Sequence, residues 1–477
     1  MSRRTKIVAT VGPASRTEDQ IGALIDAGVS MFRFNLSHGT VEGHLEGIAR
    51  VRKVAADKGT VIAVLADLPG PKIRLTSLGD DGVEFRDNEV IELKSGSEPS
   101  TAQRIYTDYP TCSTDLRVGD DITLGDGGVD LRVESIEGDV VNVKVQSGGT
   151  LRGRPGLHLP ADRVTIGVPT DEDRMLIDSV ALPGKVDFVA VSFVRNGDEI
   201  RFVRKLLGDT PPRIISKIET PAALLNLEDI VIESDAVMVA RGDLGTECPL
   251  EDVPVYQKRI IRTCIAHATP VITATQMLES MITAMSPTRA EASDVANAVC
   301  DGTDAIMLSG ESAVGHNPPL VVETMARIAE RAEIEADYER FSRSLRTERR
   351  VPVVTAALTH AALTAANDAN ASAIICCTQS GSTVQAMATL RPDAKLIALS
   401  TSAETVNREV LTWGVIPLIQ PDYDNAEEMV SSAVQIAQEA GLVQTGDTVA
   451  ILSGNPGVAG STDALKIMEV GQASSGR

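Results

Sequence analysis

The sequence predicts an α/β protein: a (β/α)8 barrel with an inserted small β-barrel lid domain and a C-terminal α/β domain. Eight short β-rich runs alternate with amphipathic helical stretches. A Val-, Asp- and Gly-rich segment separates the third run from the fourth, and more strand–helix alternation follows the eighth. At 477 residues the chain has room for several domains of roughly 150 residues each. The boundaries read from these changes of texture are 1–69 and 167–345 for the barrel, 70–166 for the lid and 346–477 for the C-terminal domain.

The eight runs are "TKIVATVG" from Thr5, "SMFRFNLSHG" from Ser30, "VIAVLADLPG" from Val61, "VDFVAVSFV" from Val186, "PRIISKIET" from Pro212, "DAVMVARGDLG" from Asp235, "PVITATQM" from Pro270 and "DAIMLSGES" from Asp304. Between them, stretches such as "TEDQIGALIDAG" and "PTRAEASDVANAVCDG" carry helix-start residues in front and Gly behind. In the insertion, "VGDDITLGDGGVDLRVESIEGDVVNVKVQSGG" alternates apolar and polar residues between turn pairs, the pattern of a small β domain placed as a lid. After the eighth unit the charged helix "MARIAERAEIEADYERFSRSLRTERR" leads to "SAIICCTQSG", "KLIALST" and "TVAILSGNPG", which read as parallel strands.

Composition excludes several classes. Sixty-six acidic against 45 basic residues give a net charge of −21, which repels phosphate backbones and anionic membranes, so nucleic acid is not an expected partner. Six cysteines form no C-x-x-C pair, which fits a reduced, cytoplasmic setting, and Cys376 and Cys377 read as core packing. The N-terminus has no signal-peptide pattern, and no run approaches the ~18 apolar residues of a membrane span.

Side chains two apart in a strand share a face, so polar residues near the end of a barrel strand converge on one cavity, and barrel active sites lie at the carboxyl ends. The second strand offers Arg33, Asn35 and Ser37; the fifth Lys217 and Glu219; the sixth Arg241 and Asp243; the seventh Thr273 and Thr275; the eighth Ser309 and Glu311. Polar or charged side chains ending five otherwise apolar runs point to a site rather than to isolated rim ion pairs. Glu219 and Asp243 suit a hard divalent cation with open positions, Mg2+ first and Mn2+ as the alternative. Lys217 is placed to stabilise charge on a transferring phosphoryl group, and Arg33 offers a forked donor to phosphate or carboxylate. No P-loop occurs. His38 reads equally as a base or as a helix-start residue.

Six motifs in chain order, "RFNLSHG" (33–39), "DLPGPKIR" (67–74), "ISKIET" (215–220), "VARGDLG" (239–245), "TATQMLESM" (273–281) and "LSGESA" (308–313), resemble those of the pyruvate kinase family across almost the whole chain. The resemblance implies phosphoryl transfer from phosphoenolpyruvate to ADP, giving pyruvate and ATP, and usually a homotetramer. By the same resemblance Lys217 stabilises the transition state, Glu219 and Asp243 hold Mg2+, and Arg33 contacts the phosphoryl group. Gly242 and Thr275 bind phosphoenolpyruvate alongside Asp243, Ser309 and Glu311 relay protons, and Arg74, His38 and Asn35 lie on the nucleotide side. Asn35, Ser37 and Asp67 match ligands of a monovalent-cation site. A barrel enzyme acting on the C–C bonds of phosphoenolpyruvate or pyruvate, or a silent metabolite sensor, would share part of this pattern; the lid with "SKIET" and "ARGDLG" favours the kinase.

The departures carry information. Lys72 stands where potassium-dependent relatives have Glu, and Leu68 where they have a Thr ligand, which implies activity without K+ and the Lys72 ammonium in place of the ion; the bland alternative is a surface ion pair. In "RGRPGLHLP" (152–160), Pro155 falls where a nucleotide-contacting lysine is expected, His158 replaces an asparagine, and Arg154 is the candidate compensator. Asp126 is the retained acid of the lid. In "TQSGST", the residues Thr378, Ser380, Gly381, Ser382 and Thr383 resemble a loop for a sugar-phosphate or nucleotide effector, or form an ordinary strand-to-helix turn. Asp463, in the terminal segment 453–467, lies where Asn is frequent.

Overall fold

The computed structural model describes residues 3–125, 127–160, 166–208, 211–336, 338, 348–455, 460 and 462–471. Asp126 and part of the charged segment after Glu335 lie outside the described residues.

All eight runs form strands of a closed parallel barrel: Lys6–Thr10, Met31–Asn35, Ala63–Asp67, Phe188–Val191, Arg213–Ile218, Ala236–Ala240, Val271–Ala274 and Ala305–Leu308. They read as continuous apolar runs because both faces are covered. One parity, including Val8, Met31, Leu65, Ala190, Ile215, Met238, Ile272 and Met307, fills the barrel interior. The other, including Phe32, Val64, Val189, Ile214, Val237 and Ile306, packs under the helices. Threonines at the barrel mouth start helices by accepting from backbone N–H groups, as Thr40 does from Gly43 and Thr220 from Ala223.

The insertion leaves the third strand through Gly70, whose φ of 66° is left-handed. Asp173 Oδ1 accepts from Gly70 N at 2.9 Å and its Oδ2 from Thr170 N at 2.8 Å, so one carboxylate ties the outgoing hinge to the returning chain. The lid expected as a small barrel is a six-stranded mixed sheet plus a separate pair, Val83–Phe85 with Gly149–Leu151, around its own apolar core. Residues 74 and 75 join its two edge strands, Arg74 bridging Gly156 and Leu75 bridging Thr107, so the sheet closes on itself as a small barrel. Its 90–95 and 104–107 strands pair in parallel, which pure hairpin alternation does not produce.

The C-terminal sheet has five strands in the order 415–419, 395–400, 373–377, 448–453, 464–469. The first four are parallel and the last, Ala464–Glu469, runs antiparallel. Cys376 and Cys377 are buried free thiols in its central strand, as core packing requires. No helix among the described residues is long and apolar enough to cross a membrane.

Candidate active site at the carboxyl ends of the barrel strands

The barrel's interior parity decides which polar residues meet. Met31 faces inward, so Arg33 and Asn35 do too; Ala63 and Leu65 are followed by Asp67, and Ile215 by Lys217. These residues come together. Arg33 Nε pairs with Asp67 Oδ2 at 2.6 Å and its Nη1 donates to Thr10 Oγ1 at 3.0 Å. Lys217 Nζ lies 2.8 Å from Glu219 Oε1 and 3.6 Å from Asp67 Oδ1, and donates to Ser192 Oγ at 2.7 Å. Ser192 in turn donates to Leu68 O at 2.7 Å. Thr10 and Ser192 were not singled out in the sequence, although each continues the inward parity of its own strand beyond Val8 and Ala190.

The same rule fails past a strand's last residue. The sixth strand ends at Ala240, and Asp243 is carried instead by the helix Arg241–Glu247. Arg241 turns away, pairing with Asp294 at 2.7 Å and donating to Thr275 O at 2.7 Å. Thr273 has outer parity and is buried against Thr303. Thr275 follows a break from the strand at φ 69°, where its Oγ1 accepts from Gly242 N at 2.8 Å. The eighth strand ends at Leu308; Glu311 is fully buried, and its oxygens accept from Leu278 N at 3.1 Å and Ser309 N at 2.7 Å. It braces the turns that follow the seventh and eighth strands.

Glu219 is entirely buried, and its Oε2 accepts from Phe193 N at 2.6 Å. Burial pushes its carboxyl up to about 7 against the pull of Lys217, with the negative charge of Asp243 adding to the rise. Asp243 is held low: burial acts upward, but Lys217, Lys72, a hydrogen bond with Glu219 and His158 outweigh it. Burial also works to discharge Lys217, yet Asp67, Glu219 and Asp243 keep it charged. Glu219 Oε1 and Asp67 Oδ1 are buried without a well-formed hydrogen bond. Two neighbouring buried carboxylates of opposed tendency, Glu219 and Asp243, fit a hard divalent cation. No cage of three or more His, Cys, Asp or Glu side chains occurs among the described residues, so water and substrate oxygens would complete its shell.

The comparisons agree with this geometry. The family described as "Pyruvate kinase, barrel domain" matches residues 2–322, and "Pyruvate kinase, alpha/beta domain" matches 356–468. The chain belongs to the pyruvate kinase family. Its relatives include pyruvate kinases of Clostridium acetobutylicum, 39% identical over 98% of this chain and 100% of that one, and Agrobacterium vitis, 40% identical over 98% and 99%. The pyruvate kinase of Geobacillus stearothermophilus is 39% identical over 98% of this chain and 80% of its own length. A crystal structure of a pyruvate kinase from Cryptosporidium parvum superposes with a TM-score of 0.92 at 33% identity, covering 98% of this chain and 96% of that one. Like these pyruvate kinases the chain is a phosphotransferase.

The remaining candidates are more dispersed. Ser37 N donates to Asn35 Oδ1 at 3.2 Å, and His38 is exposed. Arg74 lies on the lid side, reaching Arg154 O at 3.4 Å, while Arg154 pairs with Asp108 at 3.1 Å. Lys72 is exposed on the hinge and, among the described residues, makes no recorded contact with Asn35, Ser37 or Asp67; the Asp67 carboxylate is taken by Arg33 and Lys217. Lys72 still acts on Asp243 through its charge. His158 brings the lid to the helix that carries Asp243, with Nδ1 at 3.5 Å from Glu247 Oε1. In the C-terminal domain Thr378 Oγ1 accepts from Gly381 N at 2.9 Å, and Thr378 and Thr383 line a cavity of about 130 Å3.

Proposed function

We propose that the cluster of Arg33, Asp67, Lys217, Glu219 and Asp243 transfers the phosphoryl group of phosphoenolpyruvate to ADP in glycolysis, with Mg2+ held by Glu219 and Asp243. The observation that carries this reading is Lys217, held charged between the buried carboxylates of Asp67 and Glu219. Mg2+, or Mn2+ in its place, would neutralise charge on substrate oxygens there. The Arg33 guanidinium orients the phosphoryl group, which leaves the enol oxygen as ADP's terminal oxygen attacks phosphorus. Lys217 stabilises the enolate left behind, and Thr275, fixed by Gly242 N, stands beside the carbon that then takes a proton. Ser309 and Glu311 hold the turn next to it, and Arg74, His38 and Asn35 serve the nucleotide side.

Activity without K+ is part of the same proposal: Leu68 offers no side-chain oxygen, and Lys72 supplies a positive charge that already reaches Asp243. Effector control is proposed for the cavity beside loop 378–383. Homotetramer assembly and a cytoplasmic location belong to the same proposal, and exposed Leu225, Ile232 and Val255 on adjoining barrel helices offer apolar surface for subunit contact. A coupled assay of ATP formed from phosphoenolpyruvate and ADP tests the core reading. With Mg2+ in a buffer free of Na+ and K+ we expect full turnover, changing by less than about twofold (~0.4 kcal/mol) on adding K+. No ATP in either buffer would sink the reaction assignment; strong activation by K+ would sink the role given to Lys72.

A further inference from the structure

A second cleft, of about 570 Å3, opens where the amino-terminal segment of the barrel meets the C-terminal domain. It lies at the amino ends of the C-terminal strands, beside Ser372, Lys395 and Ile416. The cavity next to loop 378–383 lies at the opposite ends of the same strands, beside Cys377, Thr401 and Gln420. The two are therefore separate sites.

Four cations line this cleft: Arg3, Arg4 and Lys6 from the barrel segment, and Lys395. Asp393 is the one carboxylate among its lining residues. In a chain of net charge −21 such a concentration runs against the background. The cations are held in place by neutral backbone oxygens. Lys6 Nζ donates to Val415 O at 2.6 Å and Lys395 Nζ to Leu442 O at 2.7 Å, while Arg4 donates to the carbonyls of Pro392 and Asp393 beside the ring of Trp413. The nearby Glu333 is engaged with Arg4 N, Thr5 N and Thr5 Oγ1.

We propose that this cleft binds a phosphate monoester that carries hydroxyl groups. Arginine forks and lysine ammonium groups recognise the phosphate, and the amides of Asn367 and Asn370 with the Ser372 hydroxyl offer both donors and acceptors to hydroxyls. The volume lies within the range of small-molecule sites. Lys6 supports the reading: burial, then the charge of Arg3, lowers its ammonium to about 7, and Glu333 and Asp304 do not offset this. A bound phosphate would supply the missing anion and recharge it.

The test is calorimetric titration of the full chain with glycerol 1-phosphate, inorganic phosphate and glycerol at pH 8, in two buffers of different ionisation enthalpy. Lys6 is mostly neutral at that pH, so phosphate binding is expected to take up as much as one proton. Glycerol 1-phosphate should bind more tightly than inorganic phosphate, and glycerol not at all. Lys6→Met should abolish the uptake, and both Lys6→Met and Lys395→Ala should weaken the uptake-linked binding about tenfold or more, with the uptake kept in Ser382→Ala. Lys395 is exposed, so its variant keeps the test open if Lys6→Met misfolds. Three results would each overturn the proposal: no heat up to about 10 mM ligand, affinity for glycerol 1-phosphate unaffected by both lysine variants, or loss of the proton uptake in Ser382→Ala. The second result would put the anion in the barrel site and the third in the other cavity; equal affinity for the two phosphates would overturn the hydroxyl recognition.

Discussion

Lys217 and Glu409 place opposite demands on a buried charge. Lys217 is kept charged by three carboxylates in the water-poor mouth of the barrel, where a fixed cation is worth most to a developing anion. Lys217→Met is expected to lower kcat by about 10²–10³ and, because it strands the buried Asp67 and Glu219, to lower the melting temperature as well, as steady-state kinetics and thermal unfolding would show. A loss under about tenfold (1.4 kcal/mol) would remove Lys217 from the chemistry. Glu409 has no such cluster. It is buried beneath loop 378–383, accepting from Gln385 Nε2 at 3.0 Å and Thr412 Oγ1 at 2.8 Å. Burial pushes it up to about 8, although Thr412, Arg213, Gln385 and Arg408 pull the other way. Because the folded value exceeds the ordinary carboxylate value of about 4.3, its stabilising protonation is complete below that pH and is lost as pH rises through about 8. Denaturant unfolding at pH 6 and pH 9 should therefore show wild type losing on the order of 2 kcal/mol more than Glu409→Gln. Equal losses would mean that Glu409 is already ionised at pH 6.

At the scale of elements, the hinge couples the lid to the chemistry. A Cβ on Gly70 would meet Ser192 Cβ at 2.7 Å and Ser192 O at 3.1 Å, and Ser192 is the hydroxyl that holds Lys217. Gly70→Ala thus combines left-handed strain of about 1–2 kcal/mol with a push on the Lys217 partner. We expect a lower melting temperature together with a fall in kcat; a stability loss with unchanged kcat would separate the hinge from the site. The hinge glycine and the eight strands were legible because turn chemistry and doubly buried parallel strands leave local signatures. Arg33 and Lys217 were legible for the same reason, since they extend the inward parity of their strands, whereas Asp67 was named only through the family resemblance, as a cation ligand. Asp243 was found by a rule that does not apply to it, because helix Arg241–Glu247 replaces the strand there. Arg241, Thr273 and Glu311 were grouped with the site by that rule, but Arg241 pairs with Asp294, Thr273 has outer parity, and Glu311 braces the adjoining turns. The parallel pairing in the lid and the cation-lined cleft depend on contacts between distant segments, for which no local pattern exists.

The whole molecule is held together across the amino ends of the barrel strands, opposite the site. Arg391, 3% exposed, pairs with Asp304 at 3.0 Å, donates to Gly302 O and lies over the Trp413 ring at 4.7 Å. Asp304 also accepts from Val271 N at 3.0 Å and Trp413 N at 3.2 Å, so one carboxylate anchors the start of the seventh barrel strand and the C-terminal domain together. Nearby, Arg213 opens the strand that carries Lys217, pairs with Asp235 at 2.7 Å and donates to Ser380 O at 3.0 Å in loop 378–383. Domain docking here combines these buried charges with apolar contact, since Val410 and Leu411 join the core of the barrel interior. Removing one partner strands the other, a cost of about 3–5 kcal/mol for a buried pair. Arg391→Ala should therefore separate the C-terminal domain from the barrel during unfolding. Calorimetry should show a new low-temperature transition, and trypsin should cut between the domains at temperatures where the barrel still turns over substrate. A single transition merely shifted downward would show that the barrel and C-terminal domain unfold as one unit even without this pair.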